Sequence, residues 1–234
     1  MVKFWLVLAF VVASVGTLSQ CRGRLHDHPF DVTFGSDRQE QGSGVSAAEK
    51  RTVGDFTRLH SEGSVVIDVQ VKEGVARTVE VKTDDNLLSM VRTEVLDGVL
   101  EIVAVSGIDT SNDVHIKVTT PSLEAIHLEG ANRLALDIDS AGEIDVHFEG
   151  AGRMRATGRV GKLTVHSEGA GTIEAADLVA KSVDVHIEGA GRATVNATHA
   201  LKARIEGAGL VRYVGNPTNV EKTIDGIGRI TQAD

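Results

Sequence analysis

The chain has 234 residues, of which 41% are hydrophobic but only 3% aromatic, and its formal net charge at pH 7 is -9. That charge argues against a nucleic-acid partner, because phosphate binding relies on clustered Lys and Arg to release counterions. A single cysteine excludes an internal disulfide, and what remains after a leader and a spacer, roughly 180 residues, is the size of one domain.

Residues 1–21 read as an export signal. Lys3 precedes an apolar run from Phe4 to Val15, too short to span a bilayer as a stable helix. The run ends in Leu18-Ser19-Gln20-Cys21. A Leu three residues before a Cys resembles a bacterial lipobox, with Gln20 departing from the small residue usual there, so Cys21 is the expected lipidation site and the membrane is reached through a lipid anchor. Residues 22–50, polar and without periodicity, read as a flexible spacer; the His26-Asp27-His28 cluster inside it reads as solvated tether.

The folded domain is expected over residues 51–234. Strand-like runs appear at Val65 to Val71, Ala76 to Lys82, Val99 to Val105 and Val114 to Thr119, separated by turn-rich stretches such as Leu96-Asp97-Gly98, which suggest hairpin excursions. From Glu129 onward the chain repeats. Glu-Gly-Ala-Gly or a close relative begins at Glu129, Glu149, Glu168, Glu188, Glu206 and Asp225, at spacings of 20, 19, 20, 18 and 19 residues. Before each turn, alternate residues are apolar: Ile144, Val146 and Phe148; Leu163 and Val165; Val183, Val185 and Ile187; Leu201, Ala203 and Ile205. After each turn a second alternation follows, as in Leu134 and Leu136 or Ile173 and Ala175. A period of two is the mark of a strand with one buried face. Gly130, Gly150, Gly152, Gly169, Gly171, Gly189, Gly191, Gly207 and Gly209 are expected to form the corners. The architecture these features predict is all-β, a right-handed parallel β-helix (β-solenoid) with coils of about 19 residues.

The segments Asp55-Phe56-Thr57-Arg58-Leu59, Asp97-Gly98-Val99-Leu100-Glu101-Ile102 and Val118-Thr119-Thr120-Pro121-Ser122-Leu123, with the serial Gly-Ala-Gly turns, resemble a bacterial family described as a putative auto-transporter adhesin head domain. The resemblance covers about Arg51 to Asp234. It implies a β-helical exported domain without an established catalytic site, and a cell-surface glycan or protein as partner.

Residues on the opposite parity form columns. His127, His147, His166 and His186 share one position, Glu149, Glu168 and Glu188 the next outward one, and Asp145 and Asp184 flank two of the histidines. Like charges repeated at the 4.8 Å spacing of neighbouring strands repel by about 0.9 kcal/mol even in water, so the interleaved imidazoles read first as charge compensation on a solvent face. Adjacent imidazoles and carboxylates also have the chemistry of zinc, nickel or copper ligands, which makes these nine residues the candidate ligand or metal face. A β-helical polysaccharide-processing enzyme is the third alternative; it calls for a localised acid/base pair, whereas these acids are spread evenly by the repeat. The leading expectation is an exported envelope module, facing periplasm or cell surface, that binds or supports without catalysis and needs no cofactor.

Overall fold

Alternating apolar residues need a second wall to face, and in the computed structural model, which describes residues 40–104, 108–109 and 112–233, they find it in one another. The leader, Cys21 and the His26/His28 pair lie outside the described residues. Among the described residues twelve strands follow in order: β1 Glu40–Gln41, β2 Ser46–Arg51, β3 Arg58–Gly63, β4 Val66–Lys72, β5 Thr78–Asp84, β6 Val91–Leu96, β7 Val99–Ala104, β8 Ile108–Asp109, β9 His115–Thr120, β10 Ala125–Asp139, β11 Glu143–Val214 and β12 Asn219–Gln232. A short 3-10 helix, Asp85–Met90, separates β5 from β6 and buries Leu87. No helix among the described residues is long and apolar enough to cross a membrane.

The residues expected to point inward do so. Val146, Leu163, Val165, Val185, Ile187 and Ile205 are fully buried, and so are Met154, Ala175, Val195 and Val211 from the strands that follow each turn. They belong to one continuous core running from Phe56 to Ile230. Each such Val, Leu, Ile or Met side chain contributes about 1.5–3 kcal/mol relative to exposure, as an upper bound. At the last strand the core is left partly open: Val220 and Ile224, paired with the buried Leu201 and Ile205, are 38% and 44% exposed, and Lys222, at a position paired with the buried Ala203, lays its ammonium 4.8 Å from the centre of the Tyr213 ring. An inward-pointing charge of this kind discourages further strands from adding to the edge.

The expected right-handed parallel β-helix is not what the chain builds. The sheet is mixed and curls around its core as a nearly closed, barrel-like wall. Parallel ladders join β10 to β3, β4 and β11, and β11 to β12, but β2 and β5, β5 and β9, and β6 and β7 pair antiparallel. The reason for the last is local. Asp97 and Gly98 both adopt positive φ, 49° and 76°, in the two-residue loop between β6 and β7, and such a loop closes a tight antiparallel hairpin instead of a crossover. The other reversals come from β5, which runs antiparallel to both its neighbours, β2 and β9, while β9 itself is parallel to β4.

One feature of the parallel region fixes how the outer face is presented. β10 turns a corner at Gly130, so that Ala125–Gly130 pair with β3 while Arg133–Asp139 pair with β4. Gly130 pairs with Gly63 on one side and Gly150 on the other, and a Cβ on Gly150, whose φ is 111°, would sit 2.6 Å from the Gly130 carbonyl oxygen. Only glycine combines that dihedral with that approach. Where later turns have a second glycine, the first has the buried Asn132, whose amide nitrogen donates to the Glu129 carbonyl at 2.9 Å while its oxygen accepts from Val65 N at 3.4 Å.

Candidate functional site

In-register pairing converts a repeated sequence into rows of like side chains. His127 pairs with His60 and with His147, and Glu129 with Glu62 and Glu149. The imidazoles form a continuous file, with ring centres 5.2 Å apart from His60 to His127, 4.8 Å from His127 to His147, 5.8 Å from His147 to His166 and 5.6 Å from His166 to His186. Orientation varies along it: His127 and His147 stack with 29° between their planes, whereas His60 meets His127 edge-on at 76°.

The glutamates lie beside the file and reach diagonally to the histidine of the preceding strand. His127 Nε2 is 3.2 Å from Glu149 Oε1, His147 Nε2 is 3.3 Å from Glu168 Oε1, and His186 Nε2 is 3.4 Å from both Glu188 and Glu206. These are ion-pair distances, but for His127 and His186 the N–H does not align with either carboxylate, and both Nε2 atoms are buried without a hydrogen-bond partner. Alignment is the stricter test of a hydrogen bond, so the two nitrogens are better described as flanked by carboxylates than bonded to them. Arg204 stands at the end of the file and binds Glu206 Oε1 at 2.6 Å.

At the other end the file gains partners that the repeat pattern does not contain. His60, on β3, donates from Nδ1 to Glu101 Oε2 of β7 at 2.7 Å, and its Nε2 lies 3.1 Å from Glu129 Oε1 of β10. Burial alone lowers the basicity of His60, but the hydrogen bonds and charges of Glu101 and Glu129 outweigh it, and its pKa is raised above 6.5.

Of the nine residues expected on this face, the four histidines and Glu149, Glu168 and Glu188 are brought together as described. Asp145 and Asp184 are not: Asp184 faces Lys202 at 3.9 Å, and Asp145 is exposed one row away. Outside those nine are His60 and Glu101, together with Glu129 and Glu206, which share the glutamate column of the repeat. For His60 and Glu129 the signal was present, since His60-Ser61-Glu62-Gly63 matches His127-Leu128-Glu129-Gly130; for Glu101, 41 residues from its partner, the local sequence offers none.

The chain is thus a curled all-β sheet bearing an exposed, repetitive polar face, with clefts such as that lined by Asp113, Asn132, Arg133, Arg153 and Thr172 along its flank. Residues 55–217 match the family "Putative auto-transporter adhesin, head GIN domain", and the chain belongs to that family. The fold is similar to that of a solved protein from Bacteroides fragilis described as a putative adhesin, with 22% identity, 83% of this chain and 100% of the other covered, and a TM-score of 0.66. A putative lipid binding protein from Parabacteroides distasonis is similar over 83% of this chain and 99% of its own, with 19% identity and a TM-score of 0.52. No curated protein matches the sequence.

Proposed function

We propose that this chain is an exported, non-catalytic binding module of the cell envelope, and that the His/Glu face is the surface with which it contacts a glycan or protein. Its family, and the adhesin description carried by the similar Bacteroides fragilis protein, support the class. The observation that carries the choice of surface is the register: His127 beside His147 and Glu129 beside Glu149 present the same groups at each strand step. A repetitive, rigid array of donors and acceptors is complementary to a ligand that is itself repetitive. Catalysis asks for something else, a pair of titratable groups set apart by their surroundings in one place. Cys21 anchors the module to the membrane in this reading. Retention of the purified full-length chain on an array of envelope and host-surface glycans, competed by the soluble form of the same glycan, is the expected result. Failure to retain any glycan, together with no saturable binding to intact cells, would contradict it.

A further inference from the structure

We infer that His60, His127 and Glu129 form a binding site for a zinc-type divalent cation at the β3–β10 junction, with Glu101 orienting the first ligand from behind. His60 Nε2, His127 Nε2 and a Glu129 oxygen lie within 4.8 Å of one another. Tetrahedral zinc with ligand bonds near 2.0–2.1 Å separates its donors by about 3.3 Å. The Glu129 oxygen is 3.1 Å from His60 Nε2 and 3.6 Å from His127 Nε2, so two of the three edges already have that length. The third, between ring nitrogens of the two histidines, is within 4.8 Å.

Three further features separate this cluster from an ordinary surface ion pair. The Nδ1 of His60 is held by Glu101 at 2.7 Å, which leaves Nε2 to serve as the ligand; a carboxylate behind an imidazole in this manner is the usual outer shell of a metal-bound histidine. The Nε2 of His127 is buried without a hydrogen-bond partner although it lies beside two carboxylates, and in the tautomer with its proton on Nδ1 this nitrogen offers a free lone pair to a cation. Finally, with neutral imidazoles the four side chains carry two negative charges, and among the described residues neither Glu101 nor Glu129 forms an ion pair with a lysine or arginine.

The other clusters along the file lack one or more of these. Donors of His127, His147 and Glu149 also lie within 4.8 Å of one another, but the two rings stack face to face and, among the described residues, neither Nδ1 is held by a carboxylate as that of His60 is. At His186 the Arg204 guanidinium occupies Glu206, supplying the positive charge that a metal would bring. Imidazole donors exclude calcium and magnesium, which select oxygen; a site of two nitrogens, one carboxylate oxygen and an open fourth position suits zinc. The inference stands independently of the adhesion reading.

The test is calorimetric titration of the chelator-stripped, full-length chain with zinc chloride at pH 7.5, paired with visible absorption after cobalt substitution. One zinc per chain is expected, with an intense tetrahedral cobalt spectrum. H60N and H127N should each weaken zinc binding by at least a hundredfold and bleach the cobalt bands; E101Q should weaken it about 10–100-fold, as loss of an orienting carboxylate does; H186N should leave both unchanged. Circular dichroism of each variant separates loss of ligand from loss of fold, and H127N carries the test should H60N not fold. Absence of zinc uptake by the parent chain would overturn the inference, leaving His60 as an imidazole hydrogen-bonded between two carboxylates. Uptake that survives both H60N and H127N, or that is lost equally in H186N, would overturn it as well.

Discussion

Gly150→Ala probes how tightly the parallel strands are stacked at their corner. The new methyl group meets two obstacles. Its backbone sits at φ 111°, a region in which an L-residue costs about 1–2 kcal/mol, and its Cβ would stand 2.6 Å from the Gly130 carbonyl oxygen, an overpacking of the kind that costs about 1–3 kcal/mol. Gly130 cannot retreat, because its own far side is stacked on Gly63. The total is about 2–5 kcal/mol, or roughly 10 °C in melting temperature for a domain of this size. Gly74→Ala supplies the reference: its φ is also positive, at 78°, but nothing lies within 4 Å of the added carbon, so only the dihedral cost applies, about 1–2 kcal/mol. Both substitutions stiffen the unfolded chain to the same degree, and that contribution cancels in the comparison. Thermal denaturation followed by circular dichroism reads the difference. Equal melting temperatures for the two variants would refute the stacking of Gly150 on Gly130.

Val185→Asp places a carboxylate at a fully buried position and should cost more than about 4 kcal/mol, whereas His166→Gln, on the outward parity, should cost less than about 1 kcal/mol in the same urea titration. Cys21→Ser should move the protein from the membrane to the soluble fraction and remove acyl mass from the mature N-terminus; unchanged fractionation would count against the lipid anchor. In metal-free protein, His60 faces Glu101 and Glu129 as well as the His127 ring. Because its folded pKa is raised, its contribution to stability is complete below pH 6.5 and is lost as pH rises through the raised value. H60Q should abolish that part of the pH dependence, read from urea midpoints between about pH 5 and 9.

What the sequence made legible is the part governed by local periodicity. Val183, Val185 and Ile187 alternate with polar neighbours, and all three are buried; the runs expected at Val65 to Val71 and Val114 to Thr119 are β4, Val66–Lys72, and β9, His115–Thr120. Partner choice is not local. Nothing in the composition of β9 announces that it pairs parallel with β4 and antiparallel with β5, and extending the C-terminal pattern backward therefore produced a parallel β-helix where the sheet is mixed. Asp97-Gly98 did carry its own information, since that dipeptide favours positive φ at both positions, and it closes the β6–β7 hairpin. The His/Glu face divides in the same way. The His and Glu rows follow from the repeat, while the Glu101–His60–Glu129 constellation exists only because β3 is flanked by β7 on one side and β10 on the other.

The claim that the His/Glu face is the recognition surface is tested most directly by binding measured on E149Q/E168Q/E188Q. All three glutamates are about half exposed, at 46%, 53% and 48% of their side-chain surface, so neutralising them should leave the melting temperature within a few degrees of the parent. Biolayer interferometry against the glycan retained by the parent chain should show affinity reduced at least tenfold. Undiminished binding by a folded triple variant would place the recognition surface elsewhere on the sheet and contradict the account.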